Sequence, residues 1–201
     1  MINAFLVPGF HPTRSFMSTD FDLLREHMEE QSIELHGVSS TWGNYGIAEY
    51  GHLACSQIEK KSNIDVVIGH SLGAIALLSV VKELRTSHVI MCSPSALFME
   101  DIMDEFNAPA AQFLGKKRYD ELSSISSKRI AQEMGSLNIQ SVVTVGSLEY
   151  ERNINLVLRA QQLAQDSPSK AYVEIEGAEH SIRESTYAAA LSRIVSNIDE
   201  A

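Results

Sequence analysis

Hydrophobic positions along the chain fall into two alternating patterns. Short apolar runs at 3–7, 33–38, 65–68, 88–91, 142–145 and 172–175 are rich in β-branched residues and mostly bounded by turn formers. Strands buried on both faces of a parallel sheet read this way. Helical periods separate them. Tyr187, Leu191, Ile194, Val195 and Ile198 recur at i, i+4, i+7, i+8 and i+11, one face of a last helix. Residues 72–84 are apolar nearly all round, which predicts a helix buried beside the sheet. Together these predict an α/β fold, a doubly wound, mostly parallel six-stranded sheet with helices on both faces. A strand order of 2-1-3-4-5-6 would put the topological switch point, where ligands bind, between the first and third strands. Residues 95–137 break the rhythm, separating the fourth and fifth strands by about three times a normal connection. The segment is polar, with Met99, Ile102, Met103 and Phe106 at helical spacing, and predicts a small helical cap inserted in one domain spanning 1–201.

Composition narrows the function. The 201 residues are 44% hydrophobic and 21% charged, the profile of an ordinary soluble globular protein. Lys and Arg total 16 against 26 Asp and Glu, for a formal charge of -10. Such a surface repels phosphate backbones and anionic lipid, which argues against nucleic-acid and membrane partners. No apolar run approaches bilayer length. The first residues, MINAFLVPGF, lack a basic region and reach Pro8-Gly9 too early for a signal peptide. Cys55 and Cys92 form neither a CxxC nor a disulfide framework. A reduced, cytoplasmic protein without structural metal is expected; nothing in the pattern fixes an oligomeric state.

The candidate chemistry begins at Gly69-His70-Ser71-Leu72-Gly73, a G-x-S-x-G that directly follows a strand and opens a helix. That is the setting of a nucleophile elbow, where small residues two before and two after the serine let strand and helix approach. Ser71 would then sit strained with its hydroxyl exposed above the sheet, and the Leu72 N–H would face developing negative charge. The alternative is a glycine-rich turn with an N-capping serine.

With these residues the chain resembles the α/β-hydrolase superfamily over nearly its whole length, as a small, minimal serine hydrolase of esterase or thioesterase type. The resemblance implies a member that begins at the strand bearing the oxyanion loop, without the leading hairpin of larger relatives. The resemblance implies that Phe10, after Ala4-Phe5-Leu6-Val7-Pro8-Gly9, donates the second oxyanion N–H beside that of Leu72. Pro8 stands where the family often has His. Gly9 would let a substrate carbonyl approach closely. The family's histidine follows the last strand in a G-x-x-H context, here Gly177-Ala178-Glu179-His180. Imidazole titrates near working pH and suits a base that takes the proton from Ser71 and returns it to the leaving group. The acid follows the preceding strand, where Gly146-Ser147-Leu148-Glu149 matches G-x-x-D/E, with Glu151 as the alternative. The chain order Ser71, Glu149, His180 is the family's order. The resemblance implies hydrolysis of a small-molecule acyl ester with no metal or organic cofactor. An acyl thioesterase and a non-catalytic binding protein on the same scaffold are the alternatives.

Other residues carry weaker signals. His11 could contact substrate. Trp42, in Thr41-Trp42-Gly43-Asn44-Tyr45-Gly46, could line the pocket or anchor its loop. Met99 and Met103 could form an acyl-binding wall or simply cover the sheet. Cys92 and Ser93 read as packing residues rather than a second nucleophile. His70 should point away from Ser71 and have no acid–base role, and Lys116-Lys117-Arg118 reads as a solvated face.

Overall fold

The computed structural model describes residues 1–61, 63–102 and 112–198. Strands β1 (Ile2–Val7), β2 (Ile33–Gly37), β3 (Val66–His70), β4 (His88–Cys92), β5 (Gln140–Gly146) and β6 (Ala171–Ile175) form one sheet. Its order is β2-β1-β3-β4-β5-β6 and every neighbouring pair is parallel. The expected order holds, and a mostly parallel sheet becomes an entirely parallel one. Three central strands run farther than their apolar runs predict. His70 still pairs with Cys92, and Gly146 with Ile175, because strands on both sides supply ladder partners for small and polar residues.

Alternate residues of these strands feed two cores. Phe5, Val67, Val89, Met91, Val143 and Val145 point to one face. Helices α2 (Ile47–Ile58), α3 (Leu72–Ser79), α6 (Ser127–Ser136) and α8 (Ile154–Asp166) bury residues in that cluster. Ala4, Leu6, Val66, Ile68 and Ile90 point the other way, toward α1 (Asp22–Glu30) and α9 (Ser185–Ser196). The apolar stretch read as one helix over 72–84 ends at Ser79 and continues as a 3-10 turn at Val81–Glu83. In the last helix, Ile198 falls beyond the regular turns but stays buried.

The long connection from β4 to β5 holds α4 (Met99–Ile102), α5 (Lys116–Leu122) and α6 among the described residues. Leu114, Leu122, Ile130 and Met134 bury in the same cluster as Trp42 and α3. Arg159 of α8 reaches Asp101 at 2.6 Å and Ser127 at 3.1 Å, tying α4 and α6 to the sheet's flanking helix. Met99 is exposed, and its amide donates to Ile125 O at 2.8 Å. Met103 and Phe106 lie outside the described residues. The basic run divides. Lys116 and Lys117 pair at the surface with Asp120 and Glu49, as a solvated face would. Arg118 instead turns inward, donating to Tyr45 O, Leu114 O and Gly43 O with its guanidinium over the Phe10 ring. Among the described residues no helix is long and apolar enough to cross a membrane.

Candidate active site

The turn from β3 into α3 places Ser71 at φ 52°, ψ -123°, a conformation that an L-residue holds only under constraint. The constraint is visible in its glycines. A Cβ on Gly69 would meet Ala74 Cα at 2.6 Å, and one on Gly73 would meet Val7 O at 2.3 Å. Glycine at both positions is what lets strand, helix and the end of β1 close on one another. Ser71 N donates to Cys92 O at 2.9 Å, and Ser71 Oγ lies 3.0 Å from Ser95 Oγ. The loop after β1 abuts the turn, since a Cβ on Gly9 would sit 3.1 Å from Ser71 Cβ. The amides of Phe10, in that loop, and Leu72, at the positive end of α3, carry no hydrogen bond to another described residue.

Beyond β5, Glu149 opens the short helix α7 (Glu149–Arg152) and is only 3% exposed. Its Oε2 lies 2.8 Å from His180 Nδ1, in the loop after β6. Its Oε1 accepts from Gly146 N at 2.9 Å and from Ser93 Oγ. The Tyr187 hydroxyl joins Ser93 Oγ at 3.1 Å to Thr144 Oγ1 at 2.8 Å, extending a buried polar chain behind the carboxylate. Burial alone would push the Glu149 carboxyl up. Hydrogen bonds from His180, Ser93 and Gly146 outweigh it and hold the group below its ordinary range. With a carboxylate facing Nδ1, the ring proton sits there and Nε2 is left as the acceptor. Glu151, two residues on, is exposed and is not the carboxylate that meets His180.

His70 is also among the residues lining the cavity that Ser71 borders, and its Nε2–H donates to the His180 carbonyl at 2.9 Å. Burial first, then the neighbouring His180 ring, lowers its pKa to about 3, so it is neutral at ordinary pH. The cavity, about 190 Å³, is lined by Gly9, Phe10, His11, Ser71 and His180, with Arg14 and Arg183 among the remaining residues. Ser71 and His180 thus face one space, although the serine hydroxyl is bonded to Ser95 rather than to the ring. Trp42 is fully buried and does not line it. The indole stacks on Tyr50 at 3.9 Å, and its Nε1–H donates to Gly9 O at 3.1 Å and Pro8 O at 3.2 Å. Trp42 therefore holds the loop that carries the Phe10 amide. A larger cavity, about 480 Å³, opens at the other ends of the strands beside Asp65 and Arg85 and contains none of these groups.

Ser95, Arg14 and Arg183 border this arrangement without a signal in the sequence, and Ser93 and Tyr187 join it through hydroxyls that the sequence reads only as packing positions. Tyr187 reads as one more apolar position on the last helix, and only its hydroxyl distinguishes it. No group of three or more His, Cys, Asp or Glu side chains that could hold a metal ion is found among the described residues.

No family model matches the sequence, and a search of curated proteins finds no match. Solved structures do resemble it. The esterase domain of a Rhodothermus marinus protein aligns with a TM-score of 0.67 at 14% identity, covering 98% of this chain and 85% of that one. Est1E from Butyrivibrio proteoclasticus, solved with ferulic acid bound, aligns at 0.63 and 15% identity over 100% of this chain and 88% of that one. A pyrethroid hydrolase from Sphingobium faniae aligns at 0.62 and 14% over 100% and 99%. The likeness is one of architecture: the chain has the α/β-hydrolase fold.

Proposed function

We propose that this chain is a serine hydrolase that cleaves a carboxylic ester through an acyl-enzyme intermediate. One observation carries the reading: His180 Nδ1 lies 2.8 Å from the buried Glu149 carboxylate, on the rim of the cavity into which the constrained Ser71 turn opens. The esterases and hydrolases that share the fold agree with it.

In this reading the Ser71 hydroxyl turns from Ser95 toward His180 Nε2 once a substrate carbonyl occupies the cavity. Ser71 Oγ attacks as His180 takes its proton, and Glu149 stabilises the imidazolium without itself becoming protonated. The Phe10 and Leu72 amides receive the oxyanion, each worth on the order of 3 kcal/mol of barrier. The tetrahedral adduct collapses, His180 protonates the departing alkoxide, and Ser71 is left acylated. Water, deprotonated by His180, attacks the acyl carbonyl and releases the acid. Esters are the chosen class because their alkoxide leaving groups require the least further assistance.

A fluorophosphonate probe tests the reading. Labelling of the wild type that disappears in Ser71→Ala is expected, and labelling independent of Ser71 would remove it in favour of a binding protein. Comparing kcat/KM on matched oxygen and sulfur esters tests the substrate class. A thioester preference that survives correction for intrinsic reactivity would replace ester by thioester.

A further inference from the structure

The cavity beside Ser71 is basic in an otherwise acidic molecule. The chain carries a formal charge of -10, yet no Asp or Glu is among the residues lining this space, whereas Arg14 and Arg183 are. The two arginines come from distant segments and converge on a single carboxylate. Asp20 Oδ2 lies 3.2 Å from Arg14 Nη1 and 3.7 Å from Arg183 Nη1. Ser18 Oγ donates to the same oxygen at 2.9 Å, which fixes the carboxylate in place. Among the described residues the two guanidiniums share this one aspartate as their ion-pair partner, one positive charge more than the carboxylate neutralises, beside the cavity.

A third donor stands beside them. His11 Nδ1 accepts the backbone N–H of Arg14 at 3.1 Å and of Thr13 at 3.3 Å. With Nδ1 occupied as an acceptor, the ring proton sits on Nε2, which gives a residue of the cavity lining one further N–H donor. Guanidinium groups match carboxylates through paired N–H donors, and the two arginines stand at the half-open side of the cavity, where an entering anion would meet them.

From this we infer that the substrate is an ester bearing one carboxylate group, bound by Arg14 and Arg183 while its ester carbonyl lies at Ser71. The inference rests on the hydrolase reading above for the position of the ester, but not for the recognition of the charge. A monoanion fits better than a phosphate dianion, because the site holds one uncompensated positive charge and a dianion would leave a negative excess inside it.

Two arms test whether the carboxylate belongs to the acyl or the alcohol part. Monoethyl esters of succinic to adipic acid are compared with neutral ethyl alkanoates of equal length, and 4-acetoxybenzoate with its methyl ester. In at least one arm kcat/KM for the charged ester is expected to exceed that for its neutral match by about tenfold or more, the worth of one charge-assisted hydrogen bond. That ratio should fall toward one in Arg14→Gln/Arg183→Gln, and recover in part in Arg14→Lys/Arg183→Lys. Neutral esters hydrolysed as well as charged ones in both arms, or a phosphate monoester bound more tightly, would overturn the inference. Binding of 4-acetamidobenzoate and of its methyl ester to Ser71→Ala, followed by calorimetry, reads charge recognition without turnover. Preference for the free acid there, with no hydrolysis by the wild type, would sink the hydrolase reading and keep the carboxylate site. Turnover without any charge preference would do the reverse.

Discussion

Ser93 donates its hydroxyl proton to Glu149 Oε1 at 2.5 Å, on the side of the carboxylate away from His180. The two residues come from the ends of neighbouring strands, β4 and β5, and the contact depends on a backbone kink, since Ser93 has φ 43°. A buried carboxylate that loses a donor keeps its desolvation cost without the compensation. Ser93→Ala is therefore expected to lower unfolding stability by about 1–3 kcal/mol, as read from the urea midpoint. It should also raise the Glu149 pKa, because the second largest of the three hydrogen bonds that hold it down would be gone. An unchanged midpoint would mean that the contact contributes little.

The carboxylate that faces His180 sets a second expectation. Glu149→Gln keeps the volume but offers His180 Nδ1 an amide, which favours the wrong tautomer of the ring. The expected loss in kcat is about 10²- to 10⁴-fold. Glu151→Gln, at an exposed position that does not meet His180, should behave as wild type. Steady-state kinetics on one activated ester would decide it, and equal losses in the two variants would contradict the assignment.

Trp42 offers a test of positioning rather than contact. Trp42→Phe keeps the aromatic stack on Tyr50 but removes the indole donor to the Pro8 and Gly9 carbonyls. The loop carrying the Phe10 amide then loses its anchor, and an oxyanion donor works only when held in place. A fall in kcat of about 3- to 30-fold with little change in KM is expected, equivalent to about 0.7–2 kcal/mol of barrier. A rise in KM at unchanged kcat would place the indole in substrate binding instead.

How much of this could be read from the sequence follows from which interactions are local. Strands β1, β3, β4 and β5 announced themselves because they are largely buried and their runs are apolar, while the edge strands β2 and β6 show only shorter apolar stretches interrupted by an exposed Glu. Their alternation with helices then leaves few topologies. The Ser71 turn was legible because its geometry demands glycines at fixed offsets, Gly69 and Gly73, whatever else the fold does. The G-x-x-E after β5 likewise marked Glu149, the carboxylate that meets His180. What stayed hidden depends on contacts between distant segments. Nothing near Trp42 says that its indole will reach back to Gly9, or that Arg118 will fold under the 43–45 loop. Tyr187 fits an apolar helix stripe by spacing, and only the packing of α9 against β5 turns its hydroxyl toward Ser93 and Thr144. A helical period at Met99 and Ile102 does not say which of them is covered, and Met99 is the exposed one.

The neutral His70 makes a prediction about pH. In the fold its pKa is about 3, against an ordinary value of 6.5, so between those limits the unfolded chain binds a proton that the folded chain does not. Protonation therefore favours unfolding. Stability from this group is fully present above about 6.5 and declines as pH falls toward 3, by at most about 1.4 kcal/mol per pH unit. Glu149 acts with the same sign but only below its ordinary value of 4.5, as its depressed carboxyl begins to protonate. The interval from pH 6.5 to 5 thus isolates the histidines. Comparing urea midpoints at pH 7.5 and 5.0, the wild type should lose more stability on acidification than His70→Gln. That variant can still donate toward the His180 carbonyl but takes up no proton when unfolded. Equal losses in the two proteins would show that His70 is not held neutral by its burial against the His180 loop.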